Sequence, residues 1–351
     1  MISYPGLLVL QLVVLIVVFV ALLAAFLSAL VSVLVGLRVV PTRVARALYP
    51  WATWMAGPNI RTAILSRLAL AAVRSGDMEE AADYAQRGVR SSPRAGRASK
   101  AAALVTLGAV LRAEGRLREA RDNFQRSMEV ASRGSRVNRA RTEINVALIS
   151  IELGDFDAAR SALATVASLA PSGRDRLRFL LASGFLHYLE HDLPAARADF
   201  EQGLELARRH PTSILPKFEV DLGYVELRAG RTDEARRLAH AAIDSATRRD
   251  QAALPHGLAL RGEASLAAGD IDGARDDLRR ALAMHRELHQ LDSARYAAAV
   301  LGLVELRAGN REEGRALLNE ARGGQPSVET ARAIAELLRE LDEVGGGPGP
   351  S

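Results

Sequence analysis

The sequence contains no cysteine, only two lysines and few aromatic residues. Lys100 and Lys217 are the lysines among its 351 residues, and aromatic residues make up 5%. The lack of cysteine excludes disulfides, thiolate zinc sites and cysteine nucleophiles. The scarcity of lysine and the lack of a G-x-x-x-x-G-K-[ST] motif argue against a phosphate-binding loop.

Strand patterns are lacking as well. After residue 44, no alternating run of β-branched residues reaches the length of a strand. Alanine, leucine and arginine dominate instead, and these are among the strongest helix formers. Because 49% of the residues are hydrophobic, the chain can also bury a large core. The composition therefore predicts an all-α protein.

A segment without charge runs from Leu7 to Leu37, after a short leader of residues 1–6. Thirty-one helical residues exceed the hydrocarbon thickness of about 30 Å, which predicts one transmembrane helix within residues 7–40. The leader has no basic residue, unlike a cleaved signal peptide. Small residues share one face of this helix, which would allow a homo-oligomer in the membrane; a lipid-facing monomeric anchor is the favoured interpretation. They are Ala21, Ala25, Ala29, Ser32 and Gly36.

The segment 41–60 that follows the span is basic and aromatic. We expect its side chains, with one from the end of the span, to bind lipid at the membrane interface. They are Arg38, Arg43, Arg46, Tyr49, Trp51 and Trp54. The positive-inside rule then predicts a bacterial inner-membrane protein with its N-terminus outside and its C-terminal part in the cytoplasm. Alternatively, the aromatic residues pack as core at the open end of the first helical repeat.

A long-period repeat occupies residues 61–326. A turn residue recurs at steps of 37 to 40, with a small residue five positions later and, in five repeats, a glycine seven positions earlier. Glycine reaches positive φ at low cost, and small residues let two helices approach closely. The pattern predicts about seven helical hairpins. Their turn residues are Gly76, Gly115, Gly154, His191, Gly230, Gly269 and Gly309.

The repeated segments resemble the tetratricopeptide repeat family. The segment LVTLGAVL with Ala120 and Phe124, and VDLGYVE with Ala235, match its W-x₂-L-G-x₂-Y…A-x₃-F pattern, and Pro93 and Pro171 match its terminal proline. The period is near 39 residues rather than 34, and the first tryptophan is absent, so the chain is similar to a long-period variant. The resemblance implies an α-solenoid. Residues 327–343 would form its capping helix, and residues 344–351 a disordered tail.

The resemblance also implies a binding groove, because the first helix of each tetratricopeptide hairpin lines a concave face. A protein or peptide partner would bind there as an amphipathic helix or an extended apolar segment. The carboxylate clamp of some family members needs more lysines than this chain has. The resemblance implies neither an enzyme nor a cofactor. The implied groove residues are Ile144, Leu148, Ile151, Leu181, Phe185, Tyr188, Val220, Tyr224 and Leu227.

Two histidine motifs and one basic region suggest other functions, namely zinc binding and the binding of nucleic acid or membrane. HYLEH, residues 187–191, reads H-x-x-E-H and would place two zinc-binding imidazoles on one helical face. HRELH, residues 285–289, is interpreted as a solvated helix face, because no third ligand lies nearby. Residues 1–142 carry 20 Lys and Arg against 8 Asp and Glu. The basic block from Arg87 to Arg141 has only Phe124 for base stacking, so membrane contact is favoured over nucleic acid.

These observations predict a membrane-anchored scaffold that binds a partner in its concave groove and organises it at the cytoplasmic face. One alternative is a periplasmic module for envelope assembly or secretion. The other is a zinc hydrolase centred on His187, Glu190 and His191.

Overall fold

The computed structural model describes residues 57–131, 136–209, 212–323 and 328–345, together with Val14, Leu15, Val18, Phe19 and Phe26. The chain divides into two compact units, residues 1–135 and 136–351. Each unit is considered by itself. Throughout the described ranges the regular elements are helices and none is a strand, which confirms the all-α prediction.

The described part of the first unit consists of two helix pairs. In each pair the two helices pack along each other, and the second pair packs against the first. The α-helices are α1 (Pro58–Ser75), α2 (Met78–Ser91), α3 (Arg97–Ala113) and α4 (Leu117–Val130), and a short 3₁₀ helix, Ser92–Arg94, joins the pairs.

The second unit repeats this arrangement and ends in a single additional helix. A 3₁₀ helix, Gln251–Ala253, precedes its fourth pair, and the last helix packs on both members of the fifth pair. The α-helices are α5 (Arg136–Glu152), α6 (Phe156–Ser168), α7 (Gly173–Leu189), α8 (Leu193–Arg209), α9 (Leu215–Arg228), α10 (Thr232–Arg249), α11 (Leu254–Ala267), α12 (Ile271–Glu287), α13 (Leu291–Arg307), α14 (Arg311–Arg322) and α15 (Val328–Gly345).

Every turn residue named from the sequence adopts the left-handed conformation. The six glycines have φ between 74° and 90°, and His191 has φ 64°. At Gly76, the next amide nitrogen, that of Asp77, donates to the carbonyl of Ala72, the hydrogen bond of a Schellman motif. The Asp77 side chain then accepts from the amide of Glu80 and begins α2. A left-handed residue and a capping residue thus end one helix and start its partner.

Small and large residues pack against each other within the hairpins. Gly184 lies against the Phe200 ring so closely that a Cβ added to it would be 2.7 Å from Cε1. Gly108 and Phe124 make the same contact at the same distance. Gly223 differs, because its neighbour is Leu260 of the next pair. These contacts set the close approach of the helix axes.

Buried ion pairs join neighbouring helix pairs of the second unit. Arg197 on α8 lies 3.3 Å from Glu226 on α9, and Arg275 on α12 lies 3.0 Å from Glu305 on α13. Both glutamates are fully buried. The arginine stands six residues after one turn residue and the glutamate four before the next, so the repeat itself places the pair.

The first helices of successive pairs form an inner layer. In the second unit, α5, α7, α9, α11 and α13 touch one another in this order, whereas the described second helices make almost no contact with each other. The first helices are therefore closer together than the second helices. We call the side of these five helices that faces away from the second helices the inner face.

The predicted membrane segment falls almost entirely outside the described residues. Five of its apolar residues are described; all are helical and between 51% and 69% exposed. Within the described residues, no helix has both the length and the apolar character needed to cross a membrane. The six interface residues of segment 38–54 lie outside the described residues, as do Ser327 and the last six residues of the predicted tail.

Candidate functional site

The nine predicted groove residues lie on α5, α7 and α9 and divide into two sets. Four are buried between helices: Ile144, Ile151, Leu181 and Val220. Five are partly exposed: Leu148, Phe185, Tyr188, Tyr224 and Leu227. The buried set stands mainly ten residues before the turn residue, where the side chain points toward the second helix. The surface open to a ligand is therefore carried by the second set.

Polar contacts cross from one first helix to the next along the inner face. The Arg178 guanidinium on α7 donates to the side-chain oxygen of Asn145 on α5 at 2.6 Å. The Arg228 guanidinium on α9 lies over the Tyr188 ring on α7, 5.1 Å from its centroid. An aromatic face in this layer therefore already holds a cation.

A carboxylate and two phenols meet further along the same face. The Tyr224 hydroxyl on α9 donates to Glu263 Oε1 on α11 at 2.9 Å, and the Tyr296 hydroxyl on α13 donates to Glu263 Oε2 at 2.8 Å. We call Tyr224, Glu263 and Tyr296 the tyrosine–glutamate cluster. It joins three successive helix pairs through one side chain from each.

Burial controls the charge of this cluster. Loss of water raises the pKa of the Glu263 carboxyl to about 7, and the two phenol hydrogen bonds only partly oppose this effect. Burial, and then the neighbouring carboxylate, raise the pKa of both phenols well above the usual value of tyrosine. The phenols therefore stay protonated as donors, while Glu263 changes charge near neutral pH.

Glu263 is partly exposed and, like the buried Glu219, has no arginine salt bridge among the described residues. Four other buried carboxylates of the second unit, by contrast, each pair with an arginine. These pairs are Asp175 with Arg141, Glu226 with Arg197, Asp277 with Arg261, and Glu305 with Arg275. A buried carboxylate without a cation is costly to keep ionised.

Sequence reasoning missed Glu263 and Tyr296, although it named Tyr224. Glu263 stands six residues before its turn residue, as do Leu148, Phe185 and Tyr224 before theirs. Applying the same position to the next repeat, six residues before Gly269, would have identified Glu263. Tyr296 stands thirteen residues before its turn, and the hydrophobic pattern gives no signal for it.

The H-x-x-E-H side chains point to different neighbours. Helix α7 ends at Leu189, and His191 lies in the left-handed turn that follows it. His191 is therefore not on the helical face that carries His187. His187 Nδ1 lies 3.1 Å from Asp199 Oδ2, Glu190 pairs with Arg160, and His191 Nε2 lies 2.7 Å from the Arg332 guanidinium. Among the described residues, no group of three or more His, Asp or Glu is arranged to hold a metal ion.

The interpretation of HRELH as a solvated helix face is wrong for His285. This side chain is 1% exposed and stacks edge-on against His256 with the ring centroids 4.7 Å apart. Its Nδ1 lies 2.6 Å from the Gln290 side-chain oxygen. Burial, followed by the neighbouring His285, lowers the pKa of His256 to about 3, so His256 is uncharged at neutral pH. The helix ends at Glu287, which leaves His289 beyond it.

Comparison with protein families identifies the repeat. Residues 99–172 and residues 259–329 match models described as tetratricopeptide repeat. Each of these two segments is similar to tetratricopeptide repeats. Among curated proteins, no match to the sequence was found.

Solved structures with this fold include two Rap proteins. The chain superposes on a Rap protein complexed with Competence and Sporulation Factor with a TM-score of 0.66 and 13% identity, over 93% of this chain and 94% of that one. For the Rap conjugation gene regulator of plasmid pLS20, in complex with the Phr* peptide, the TM-score is 0.62 and the identity 12%, over 83% and 78%.

An archaeal protein has the same fold in part of its chain. It is the signal transduction ATPase PH0952 of Pyrococcus horikoshii, which has a tetratricopeptide repeat sensor; the TM-score is 0.60 and the identity 12%, over 90% of this chain and 49% of that one. At these identities the three likenesses establish the fold, an all-helical tetratricopeptide solenoid.

Proposed function

We propose that this protein is a non-catalytic scaffold that binds a protein or peptide segment on the inner face of its second unit. The observation that carries the proposal is the run of partly exposed side chains on successive first helices, from Leu148 through Phe185 and Tyr224 to Glu263. One residue from each repeat lies at the same position, so the face presents side chains at regular intervals along an extended ligand. The peptides in the two Rap complexes make a peptide ligand a reasonable first test.

We also propose that residues 7–40 anchor the scaffold in a membrane, with about seven hairpins of a long-period repeat on the cytoplasmic side. The charge-free run, the arginines that follow it and the interfacial aromatic residues support this arrangement. The exposed helical side chains of Val14, Leu15, Val18, Phe19 and Phe26 fit a lipid-facing surface. Lipid contact by segment 38–54 and self-association through the small-residue face belong to the same proposal.

Reporters fused after Ser351 test the orientation. A green fluorescent protein fusion should fluoresce in intact bacteria, and an alkaline phosphatase fusion should be inactive, because the phosphatase needs an oxidising compartment. The reverse pattern would replace the cytoplasmic scaffold with the periplasmic alternative, a module for envelope assembly or secretion.

Peptide selection tests the binding face. The full chain in lipid nanodiscs would be panned against a displayed library of unstructured peptides, and the selected peptides measured against variants. Phe185→Ala and Tyr224→Ala should each weaken binding by about tenfold or more, because they remove aromatic contact area from the inner face. Leu291→Ala, which truncates a 60% exposed leucine at the start of α13, should change it less than twofold.

Equal binding by all three variants would show that the peptides do not bind on the inner face. The zinc hydrolase alternative is tested separately by metal analysis of the purified chain. A stoichiometric zinc that is lost in His187→Ala would revive it, although the three motif side chains contact Asp199, Arg160 and Arg332.

A further inference from the structure

The tyrosine–glutamate cluster has more hydrogen-bond acceptor positions than donors. Each carboxylate oxygen of Glu263 accepts one phenol hydrogen, at 2.9 Å and 2.8 Å. A carboxylate offers about four acceptor positions, and each phenol oxygen that donates still has lone pairs that can accept. Acceptor capacity therefore exceeds donor supply at this point of the inner face.

Among the described residues no cation forms a salt bridge with Glu263, although the Arg228 guanidinium lies over the Tyr188 ring on the same face. The carboxylates at the junctions between helix pairs have arginines, as at Glu226 and Glu305. Glu263 lies instead on the ligand-facing position of its helix, where phenols replace the arginine. Partial burial of a carboxylate is unfavourable until a cation arrives, and a cation bound there would gain a charge-assisted hydrogen bond with reduced competition from water.

The aromatic surroundings also suit a cation. After burial and Glu263, the Tyr188 phenol on α7 also contributes to the raised pKa of both phenols of the cluster. The Arg228 guanidinium already rests on the Tyr188 ring. Phenol rings attract cations through their faces, and they do so more strongly when water is excluded.

We propose that Glu263, Tyr224 and Tyr296 form the seat for a basic side chain of the bound peptide. The guanidinium or ammonium group would donate to the Glu263 carboxylate and to the phenol oxygens, while the rest of the peptide follows the inner face toward Phe185. This inference rests on the proposed peptide-binding function and adds the chemistry of the ligand: an extended segment with an arginine or lysine.

Two synthetic peptide pools test the seat. Both contain acetylated and amidated heptapeptides that are random over uncharged residues, with the central residue fixed as arginine in one pool and as citrulline in the other. Citrulline has nearly the same shape and no charge. The full chain in phosphatidylcholine nanodiscs is the binder, and empty nanodiscs give the background, so attraction to anionic lipid is avoided.

The wild-type chain should retain the arginine pool about tenfold more than the citrulline pool, a ratio that corresponds to about 1.4 kcal/mol. Glu263→Gln should reduce this ratio below about two, because it keeps the shape and removes the charge. Glu287→Gln, on the exposed end of α12, should leave the ratio unchanged. Tyr296→Phe should lower the ratio about threefold through loss of one phenol oxygen.

Equal retention of both pools by the wild-type chain would overturn the seat while leaving peptide binding in place. Retention of neither pool would overturn the peptide-binding function as well. If Glu263→Gln fails to fold by circular dichroism, Tyr296→Phe decides, and an unchanged ratio in that folded variant overturns the seat. Displacement of the peptides by N-acetylarginine methylamide at equal concentration would overturn the peptide as ligand in favour of a small cation.

Discussion

At the scale of single residues, Glu263 shows how a buried charge responds to its surroundings. Its carboxyl has a pKa of about 7 in the folded chain, against the usual value of 4.5 for a glutamate exposed to water. An acid whose pKa is raised by folding binds its proton more tightly in the folded chain. It therefore favours folding at low pH and loses that contribution as the pH rises from about 4.5 through about 7.

Glu263→Gln should consequently be more stable than the wild-type chain at pH 8 and not at pH 4.5. The gain at pH 8 is on the order of 2 kcal/mol, because the shift corresponds to about 3 kcal/mol and glutamine loses one acceptor bond to a phenol. Urea unfolding of both chains at the two pH values measures it. Glu287→Gln serves as the exposed control, and a difference that is the same at both pH values would contradict the ionisation of Glu263.

At the scale of the helical element, close packing of small against large side chains fixes each hairpin. A Cβ at residue 184 would meet the Phe200 ring at 2.7 Å, which forces the ring or the helix to move. Gly184→Ala should therefore lower the free energy of unfolding by about 1 to 3 kcal/mol. Thermal unfolding followed by circular dichroism measures the loss.

Two further substitutions test that explanation. Adding Phe200→Leu to Gly184→Ala should recover part of the loss, because the smaller side chain makes room for the Cβ. Gly88→Ala in α2 should be neutral or stabilising, since its nearest neighbour would be at an ordinary 3.6 Å and alanine favours a helix. A loss in Gly88→Ala equal to that in Gly184→Ala would show that glycine flexibility, rather than packing, is responsible.

The junction between helix pairs depends on buried charge. Glu305 is fully buried between Arg275 and Arg279, with guanidinium nitrogens at 3.0 Å and 2.9 Å. Glu305→Gln should cost about 3 kcal/mol, because it removes the buried counter-charge that both arginines share and leaves them only their exposed partners, Asp272 and Glu313. Glu313→Gln, which removes the half-exposed partner of Arg279, should cost less than about 1 kcal/mol. Urea unfolding compares the two, and equal small losses would mean that water reaches the junction.

At the scale of the whole molecule, the sequence predicts what is repeated and misses what is unique. The turn residues and the glycine to phenylalanine contacts follow from local rules, so Gly184 and Phe200 could be paired from their spacing alone. The tyrosine–glutamate cluster could not, because Tyr224, Glu263 and Tyr296 come from three repeats and meet through the accumulated small rotations of one pair on the next. The burial of His285 was missed because its edge-on contact is with His256, in a different helix.

The last helix, α15, contacts distant parts of the second unit as well as its neighbours. Arg332 reaches His191, which is 141 residues earlier in the chain, at 2.7 Å. Arg332→Ala should speed hydrogen exchange of the amides in α15 severalfold and leave those of α10 and α12 unchanged, because α15 otherwise packs mainly on α13 and α14 among the described helices. Exchange measured by mass spectrometry checks this, with Arg339→Ala on the same helix as the control.

This long-range contact has a thermodynamic consequence. In a row of repeats that touch only their neighbours, the terminal unit melts first and the loss spreads inward one repeat at a time. A bond from the last helix back to the turn after α7 gives the end of the row a second point of attachment. Fraying there must break this exposed contact as well as the packing on α13 and α14, so the end of the row should open somewhat less often than its packing on the neighbouring pair alone would allow.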